Sequence, residues 1–294
     1  MTLGPQLDRL VTATIPRDVV VVSGPEAAVY LHGQISADVT ALERGESTLS
    51  FLLEPRGRVE TFFSICRTGP DTYIADTEPG FGETMATSLE RFKLRTQAEF
   101  SLQQWTVHAV RGPRSTSDAA TATAATGPAD NPEHVVRPTN WPLASGFDLL
   151  ASPGSVVGRL GDGAEQVSPD EFDVLRMAFG LPAMGTEIRP GDIPNETGLV
   201  DRAASFTKGC YRGQELVERI DSRAGGRRSV CRLRAAVPLA PDDPLHDDAG
   251  TAVAKVLSAA ALGDMSVGFA LARRDAGDTA YTTAGEPVLL AELF

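Results

Sequence analysis

The sequence predicts an α+β protein whose C-terminal part is an all-β module. Three observations carry that reading. Between residues 19 and 220, apolar runs of strand length alternate with segments whose apolar residues recur at helical spacing. From Ser229 onward only short alternating strands remain, divided by Pro, Asp and Gly turns, as in a small barrel. Ala-Gly-Gly-Arg-Arg at 224–228 marks the boundary between the two regimes.

The elements follow in order. Residues 19–22, four consecutive valines, read as a buried strand. Ser23-Gly-Pro-Glu26 reads as a capping box that starts a short helix through Leu31. Residues 49–53 and 59–66 read as strands joined by a turn at Pro55-Arg-Gly57, and Gly69-Pro-Asp71 turns into a third strand over 73–75. Phe81, Met85, Leu89 and Phe92 share one face of a helix that starts near Pro79. Residues 100–110 return as a strand. Residues 113–132, rich in Ser, Thr, Ala, Pro and Gly without apolar periodicity, read as a surface loop and an insertion. A strand over 147–150 follows. Ser168, Pro169 and Glu171 then supply an N-cap, a first helical proline and a capping box for a helix with Phe172, Leu175 and Phe179 inward, ended by Gly180 and Pro182. Residues 185–206 are polar and turn-rich. Residues 214–220 read as a last helix, with Leu216, Val217 and Ile220 inward.

At 294 residues the chain has room for two or three domains, and its 42% hydrophobic and 22% charged content is that of a globular protein. A net charge of −12 argues against bulk binding to nucleic acid or anionic membrane. Arg223, Arg227, Arg228, Arg232 and Arg234 could still form a local basic patch, read equally well as an anion site or a solvated turn and strand edge. The three cysteines, Cys66, Cys210 and Cys231, have no C-x-x-C spacing, so neither a disulfide framework nor a zinc site is expected. Cys66 and Cys231 sit in strand-like runs as small buried hydrophobes. With no signal-like N-terminus and no apolar run of membrane-spanning length, a reduced cytoplasmic setting is expected.

The chemistry concentrates at Lys208-Gly-Cys-Tyr-Arg-Gly-Gln-Glu215. Only three of the 27 basic residues are lysines, and one of them stands two positions before a cysteine. A thiolate is favoured near cations and at helix N-termini, and Cys210 has Lys208, Arg212 and the start of the last helix around it. Two readings stand side by side: a reactive thiol, or a small packing residue in a glycine-rich loop. His32, His108, His134 and His246 are all distant in sequence, so a Cys–His pair would have to be assembled by the fold. The chain contains no P-loop, H-E-x-x-H, G-x-S-x-G or G-x-G-x-x-G pattern. A single cysteine cannot by itself hold an iron–sulfur cluster.

The octet 208–215 resembles the K-G-C-[FY]-x-G-Q-E signature of the YgfZ family of folate-binding proteins, relatives of the glycine-cleavage T-protein. Leu31-His-Gly-Gln-Ile-Ser-Ala-Asp-Val-Thr-Ala-Leu42 resembles the family's L-x-G-Q-x-[ST]-x-D-[VI]-x-x-L, and Leu53-Glu-Pro-Arg-Gly-Arg58 its L-x-P-x-G-R turn. Arg176-Met-Ala-Phe-Gly-Leu-Pro182, followed by Gly185-Thr-Glu187, resembles R-x-x-x-G-x-P. The resemblance spans about residues 29–228. It implies two intertwined ferredoxin-like α+β domains over 1–228 and a C-terminal β-barrel over 229–294, arranged as a ring around a central channel for tetrahydrofolate or a derivative. It further implies a role in the maturation or repair of iron–sulfur proteins, acting indirectly on tRNA modification. Cys210 would be the functional thiol and Lys208 would tune it. Folate contacts would fall at Glu196, Tyr211, Gly213, Gln214, Glu215 and Arg228, with no tightly bound metal. The partners implied are folate and, transiently, iron–sulfur client or assembly proteins, with no direct nucleic acid, no membrane and a monomeric state.

One departure bears on activity. T-proteins carry an Asn-rich stretch and a catalytic Asp after the strand equivalent to 73–75, whereas residues 76–83 read Asp-Thr-Glu-Pro-Gly-Phe-Gly-Glu. Asp76 and Glu83 could substitute, or could be carboxylates at a helix start. Glu196 lies in Pro194-Asn-Glu-Thr-Gly-Leu199, similar to the T-protein P-x-E-x-G-L, and could accept hydrogen bonds from a pterin or sit in a surface loop. The expected function is a folate-binding accessory factor. The alternatives are a one-carbon transferase of the T-protein type and a docking module without folate chemistry.

Overall fold

The structure, a computed structural model, describes residues 7–113, 134–158, 160, 163–222 and 227–294. The chain runs β1 (Val11–Ser23), α1 (Ala27–Gln34), β2 (Ser47–Leu53), β3 (Val59–Arg67), β4 (Thr72–Thr77), α2 (Gly82–Phe92), β5 (Glu99–Arg111), β6 (His134–Pro138), β7 (Gly146–Ala151), β8 (Glu165–Gln166) and α3 (Pro169–Phe179). A 3-10 turn (Pro194–Glu196), α4 (Val200–Ala203) and α5 (Gln214–Asp221) follow. The chain then forms β9 (Arg228–Ala235), β10 (Pro244–His246), β11 (Ala252–Leu262), β12 (Met265–Arg273), β13 (Thr279–Tyr281) and β14 (Pro287–Ala291).

Among the described residues the first eight strands form one sheet, in the order β2-β3-β4-β1-β5-β7-β6, with β8 parallel to the start of β1. The α+β region over 1–228 thus carries one continuous sheet among its described residues. At its centre β1 and β5 pair antiparallel over 13 residues from Val11–Arg111 to Ser23–Glu99. One end of this ribbon carries β4 on residues 18–23 of β1, and the other carries β7 on residues 106–111 of β5.

The apolar run of β1 is explained by burial on both faces. Val20 and Val22 join Tyr30, Leu31, Phe63, Tyr73, Met85 and Leu89 beneath α1 and α2. Val19 faces the opposite core, shared with Phe51, Phe62, Trp105, α3 and the barrel residues Val230, Val267 and Phe269. The first half of β1 escapes a run-based reading because it alternates: Val11 and Ala13 are buried, whereas Thr12 and Thr14 are not.

The capping box of α3 forms as expected. Ser168 Oγ accepts from Glu171 N at 3.2 Å, and Glu171 Oε2 accepts from Ser168 N at 2.8 Å. The box expected at Ser23–Glu26 does not form. Glu26 is the N-cap of α1 without a side-chain cap bond, and its carboxylate instead accepts from Gln97 N at 2.6 Å. A tertiary donor outcompetes the local one there. The stretch 113–132, read as a surface loop, lies outside the described residues beyond Pro113, as does Arg223 of the arginine cluster.

Strands β9 to β14 close into a six-stranded barrel, order β10-β11-β12-β9-β14-β13, with its own core of Leu233, Leu245, Val256 and Val288. The barrel is tied to α3 by a buried ion pair. Arg176 Nη1 donates to Glu187 Oε2 at 2.9 Å, and Ser258 of β11 donates to Glu187 Oε1 at 2.6 Å. The R-x-x-x-G-x-P and Gly185-Thr-Glu187 segments thus meet in one structural contact. No helix among the described residues is long and apolar enough to cross a membrane.

Candidate functional site

Three sequence segments that are far apart in the chain close on one another around the octet. The first contact is backbone on backbone. Gly213 has φ +80°, and a Cβ there would stand 2.6 Å from the Glu54 carbonyl oxygen and 2.8 Å from Leu53 Cβ. Gly57 has φ +85°, and its Cβ would stand 2.4 Å from Leu216 Cβ and 2.6 Å from the Gly213 oxygen. Both positions demand a left-handed backbone and a missing side chain, so the turn at 53–58 and the N-terminus of α5 interlock only as glycines.

The second contact uses polar groups. Lys208 Nζ donates to the carbonyls of Ile35 at 2.8 Å and Ala37 at 2.7 Å, and Arg212 N donates to Gly33 O at 3.1 Å. Ser205 N donates to Ser36 O at 2.9 Å, while Ser36 Oγ donates back to Ala203 O. The Arg212 guanidinium donates to Glu60 at 2.6 Å and Ser88 at 2.9 Å and lies 4.5 Å from the Phe92 ring centre. The octet is thereby clamped onto the end of α1 and the turn that follows it.

These contacts decide what each octet residue can do. Burial lowers the Lys208 ammonium to about 8, with Asp38 opposing that shift. The Lys208 ammonium also lies 5.2 Å from the Tyr211 ring centre. Tyr211 is buried, burial pushes its phenol up to about 12, and its hydroxyl has no hydrogen-bond partner among the described residues. Gln214 accepts from Tyr211 N at 3.1 Å and donates to Glu218. Glu215 is exposed in the first turn of α5. Cys210 is the one exposed thiol. Cys66 and Cys231 are buried, and burial pushes their thiols up to about 11 and about 12.

The remaining expected folate contacts form a second group. Arg228, the first residue of β9, donates to Glu196 at 3.3 Å, and Asn195 Nδ2 ties the same 3-10 turn to α5 through Val217 O at 3.1 Å. Glu196 is therefore ion-paired rather than a solitary loop carboxylate.

Asp76 departs from the helix-start reading. It lies in β4, fully buried, and binds both Arg137 and Arg17. Burial opposes its charge, but the two guanidinium groups outweigh it and hold the carboxyl below its usual range. Glu83 is exposed in the first turn of α2, as a helix-start carboxylate should be.

The Asp76 network lines a cavity of about 260 Å³ whose wall also includes Arg17, Glu78, Arg111, Arg137 and Asp148. Nε of Arg111 and Nε of Arg137 are buried without a hydrogen-bond partner among the described residues. No octet residue contributes to this wall, so thiol and cavity are two places rather than one. Sequence patterns missed Arg137, because it falls in the short strand β6 just after the compositionally biased stretch. They also missed a histidine beside the octet: His32 Nε2 lies 3.9 Å from where a Cβ on Gly209 would stand. His32 is inside the N-terminal motif, but nothing in linear spacing connects it with Cys210.

Comparisons with known proteins agree with this architecture. No protein-family model matches the chain. The chain is 25% identical over 236 residues to the "tRNA-modifying protein YgfZ" of Vibrio vulnificus (strain YJ016), covering 76% of this chain and 69% of that protein. It is 26% identical over 251 residues to the "Iron-sulfur cluster assembly factor IBA57 homolog, mitochondrial" of Phaeosphaeria nodorum, covering 78% of this chain and 58% of that protein. Among solved structures, the glycine cleavage system aminomethyltransferase T of Bartonella henselae superposes with a TM-score of 0.80 at 18% identity, over 97% of this chain and 86% of that one. That identity establishes the fold alone. The chain is thus a homologue of the YgfZ and IBA57 proteins, built on the fold of aminomethyltransferase T.

Proposed function

We propose that this protein is a tetrahydrofolate-binding accessory factor for the maturation or repair of iron–sulfur proteins, with Cys210 as its functional thiol. The observation that carries the reading is the clamp around the octet. Three segments hold an exposed cysteine in one defined place, although a packing cysteine would be buried as Cys66 and Cys231 are. Homology to proteins named for iron–sulfur cluster assembly and for tRNA modification supplies the cellular direction. Effects on tRNA would follow through cluster-dependent modifying enzymes, in keeping with the net charge of −12. The partners are transient client or assembly proteins, and the setting is a monomer in the cytoplasm.

The residues present suit a pterin. The wall of the cavity includes Arg111, whose buried Nε–H has no hydrogen-bond partner among the described residues and could donate, and the partly exposed carboxylate of Glu78, which could accept. At about 260 Å³ it falls below the usual range of roughly 300–1,000 Å³ for small-molecule sites, so on this reading a ring system would enter it with the remainder of a folate outside. One-carbon transfer of the T-protein type is the weaker alternative, because Asp76 is neutralised by two arginines and Glu78 is held by Arg17 at 2.5 Å.

Calorimetric titration with tetrahydrofolate tests the ligand, and complementation of a deletion strain by Cys210→Ala tests the thiol. The expected result is micromolar binding by both proteins, with cluster-enzyme activity restored by the wild type only. Absence of binding removes the folate part, and full rescue by Cys210→Ala removes the thiol.

A further inference from the structure

We propose that the C-terminal end of α2, with Arg91, Leu94 and Arg95 at its surface, is a docking site for an acidic segment of a partner protein that carries an apolar side chain. This gives the partner-facing surface of the accessory role proposed above and rests on that role only for which protein docks. The chain has a net charge of −12, yet residues 91–98 read Arg-Phe-Lys-Leu-Arg-Thr-Gln-Ala, three cations without one carboxylate. Helix α2 ends at Phe92 with Lys93 as its C-cap, and the chain turns through a bond from Thr96 N to Lys93 O at 3.0 Å. Lys93 is engaged by Glu90 at 3.3 Å. Arg91 and Arg95 are exposed and form no ion pair among the described residues.

Between these two unpaired cations stands Leu94, 92% exposed. Its φ of +51° is left-handed, a conformation that a bulky side chain rarely adopts. Burial explains neither the residue nor its backbone. An apolar side chain held outward there would meet an apolar side chain of the partner, while carboxylates on either side pair with Arg91 and Arg95.

The patch is joined to the octet. The ring centre of Phe92 lies 5.6 Å from the Arg91 guanidinium and 4.5 Å from that of Arg212. Arg212 donates to Glu60 and Ser88, while its Nε and Nη1 are buried without a hydrogen-bond partner among the described residues. It brings a further positive charge to the same ring and ties the end of α2 to the segment 208–215. A partner seated on residues 91–95 is therefore carried by the element that the octet grips.

Two other readings fit less well. Arg91, in the last turn of α2, would complement the helix dipole without any partner. Arg95, however, lies beyond the helix end, and the dipole does not account for Leu94. A nucleic acid would also be drawn to cations, but single strands are held by basic grooves with free aromatic faces for stacking. Phe92 already carries two guanidinium groups, and the −12 chain as a whole repels a polyanion.

Fluorescence anisotropy with two labelled synthetic peptides tests the surface, one with leucines spaced among glutamates and one of glutamate and serine alone. Full-length wild type at about 50 mM salt should bind both, the leucine peptide more tightly, and should lose both as salt rises and screens the charges. Arg91→Glu/Arg95→Glu should weaken both by about tenfold or more, because like charges then face each other across the contact. Leu94→Ser should remove only the preference for leucine. Arg227→Glu/Arg234→Glu, in the other arginine-rich stretch, should bind as wild type does. Arg91→Gln/Arg95→Gln replaces the reversal variant if thermal melting shows that the latter does not fold. No binding by wild type, an equal loss in the Arg227/Arg234 variant, or no loss in the Arg91/Arg95 variants would overturn the inference. Tighter binding of tRNA than of either peptide, abolished by the same substitutions, would overturn it in favour of nucleic acid. The titration uses neither folate nor Cys210, so its failure is separate from failure of the two tests above.

Discussion

Lys208 acquires its hydrogen-bond partners only in the fold. Its rarity in an arginine-rich chain suggests a group that tunes the thiol beside it. In the fold its ammonium donates to Ile35 and Ala37, and burial lowers it to about 8. The unfolded chain keeps its ordinary lysine value of about 10.4. Between these two values the unfolded state holds the extra proton, so stability rises with pH across that window; below about 8 both states are protonated and the cost of desolvation is constant. Urea unfolding at about pH 7.5 and about pH 9.5 should therefore show wild type gaining on the order of 1 kcal/mol relative to Lys208→Met. An unchanged difference would mean that the ammonium is not desolvated. The presence of lysine at 208 is written in the chain, but its two carbonyl partners lie in a different segment.

Elements divide according to how local their determinants are. The helix α3 is readable from Ser168 to Gly180 because its cap, first-turn proline and apolar stripe all lie within it. The start of α1 is not, because Glu26 spends its carboxylate on Gln97 across the sheet. The interlock of α5 with the turn after β2 is half legible: Gly57 and Gly213 can be recognised as turn residues, but not as partners. Gly213→Ala should cost about 1–3 kcal/mol from backbone strain alone, with the clash against Glu54 in addition. Gly209→Ala is the contrasting case: nothing lies closer to its Cβ than His32 Nε2 at 3.9 Å, so its stability should stay within about 0.5 kcal/mol of wild type. Thermal unfolding of the two variants checks both statements, and equal losses would refute the interlock.

For the whole molecule the joint between sheet and barrel matters most. Glu187 accepts from Arg176, Ala183 N and Ser258 at once, so one buried carboxylate links α3, the segment after it and β11. Removing it leaves Arg176 buried with only Asp173 and the Leu181 carbonyl as partners. Breaking a buried pair in this way typically costs about 3–5 kcal/mol. Glu187→Ala should lower the melting temperature and speed hydrogen exchange in β11 and β12 ahead of β1 and β5. Uniform protection across both parts would show that the barrel does not depend on this joint.

Local patterns determined most of the strand and helix segments, the barrel region and the octet whose resemblance named its relatives. These depend on side-chain period, caps and turn residues, which act over a few neighbouring positions. Tertiary structure alone decided that the first eight strands share one sheet and that Asp76 is neutralised by Arg137 and Arg17. It also brought His32 from the end of α1 against the loop of Cys210. Each of these is a contact between segments far apart in the chain, made when apolar faces close on a common core, and no one-dimensional spacing encodes which polar groups that closure will bring together.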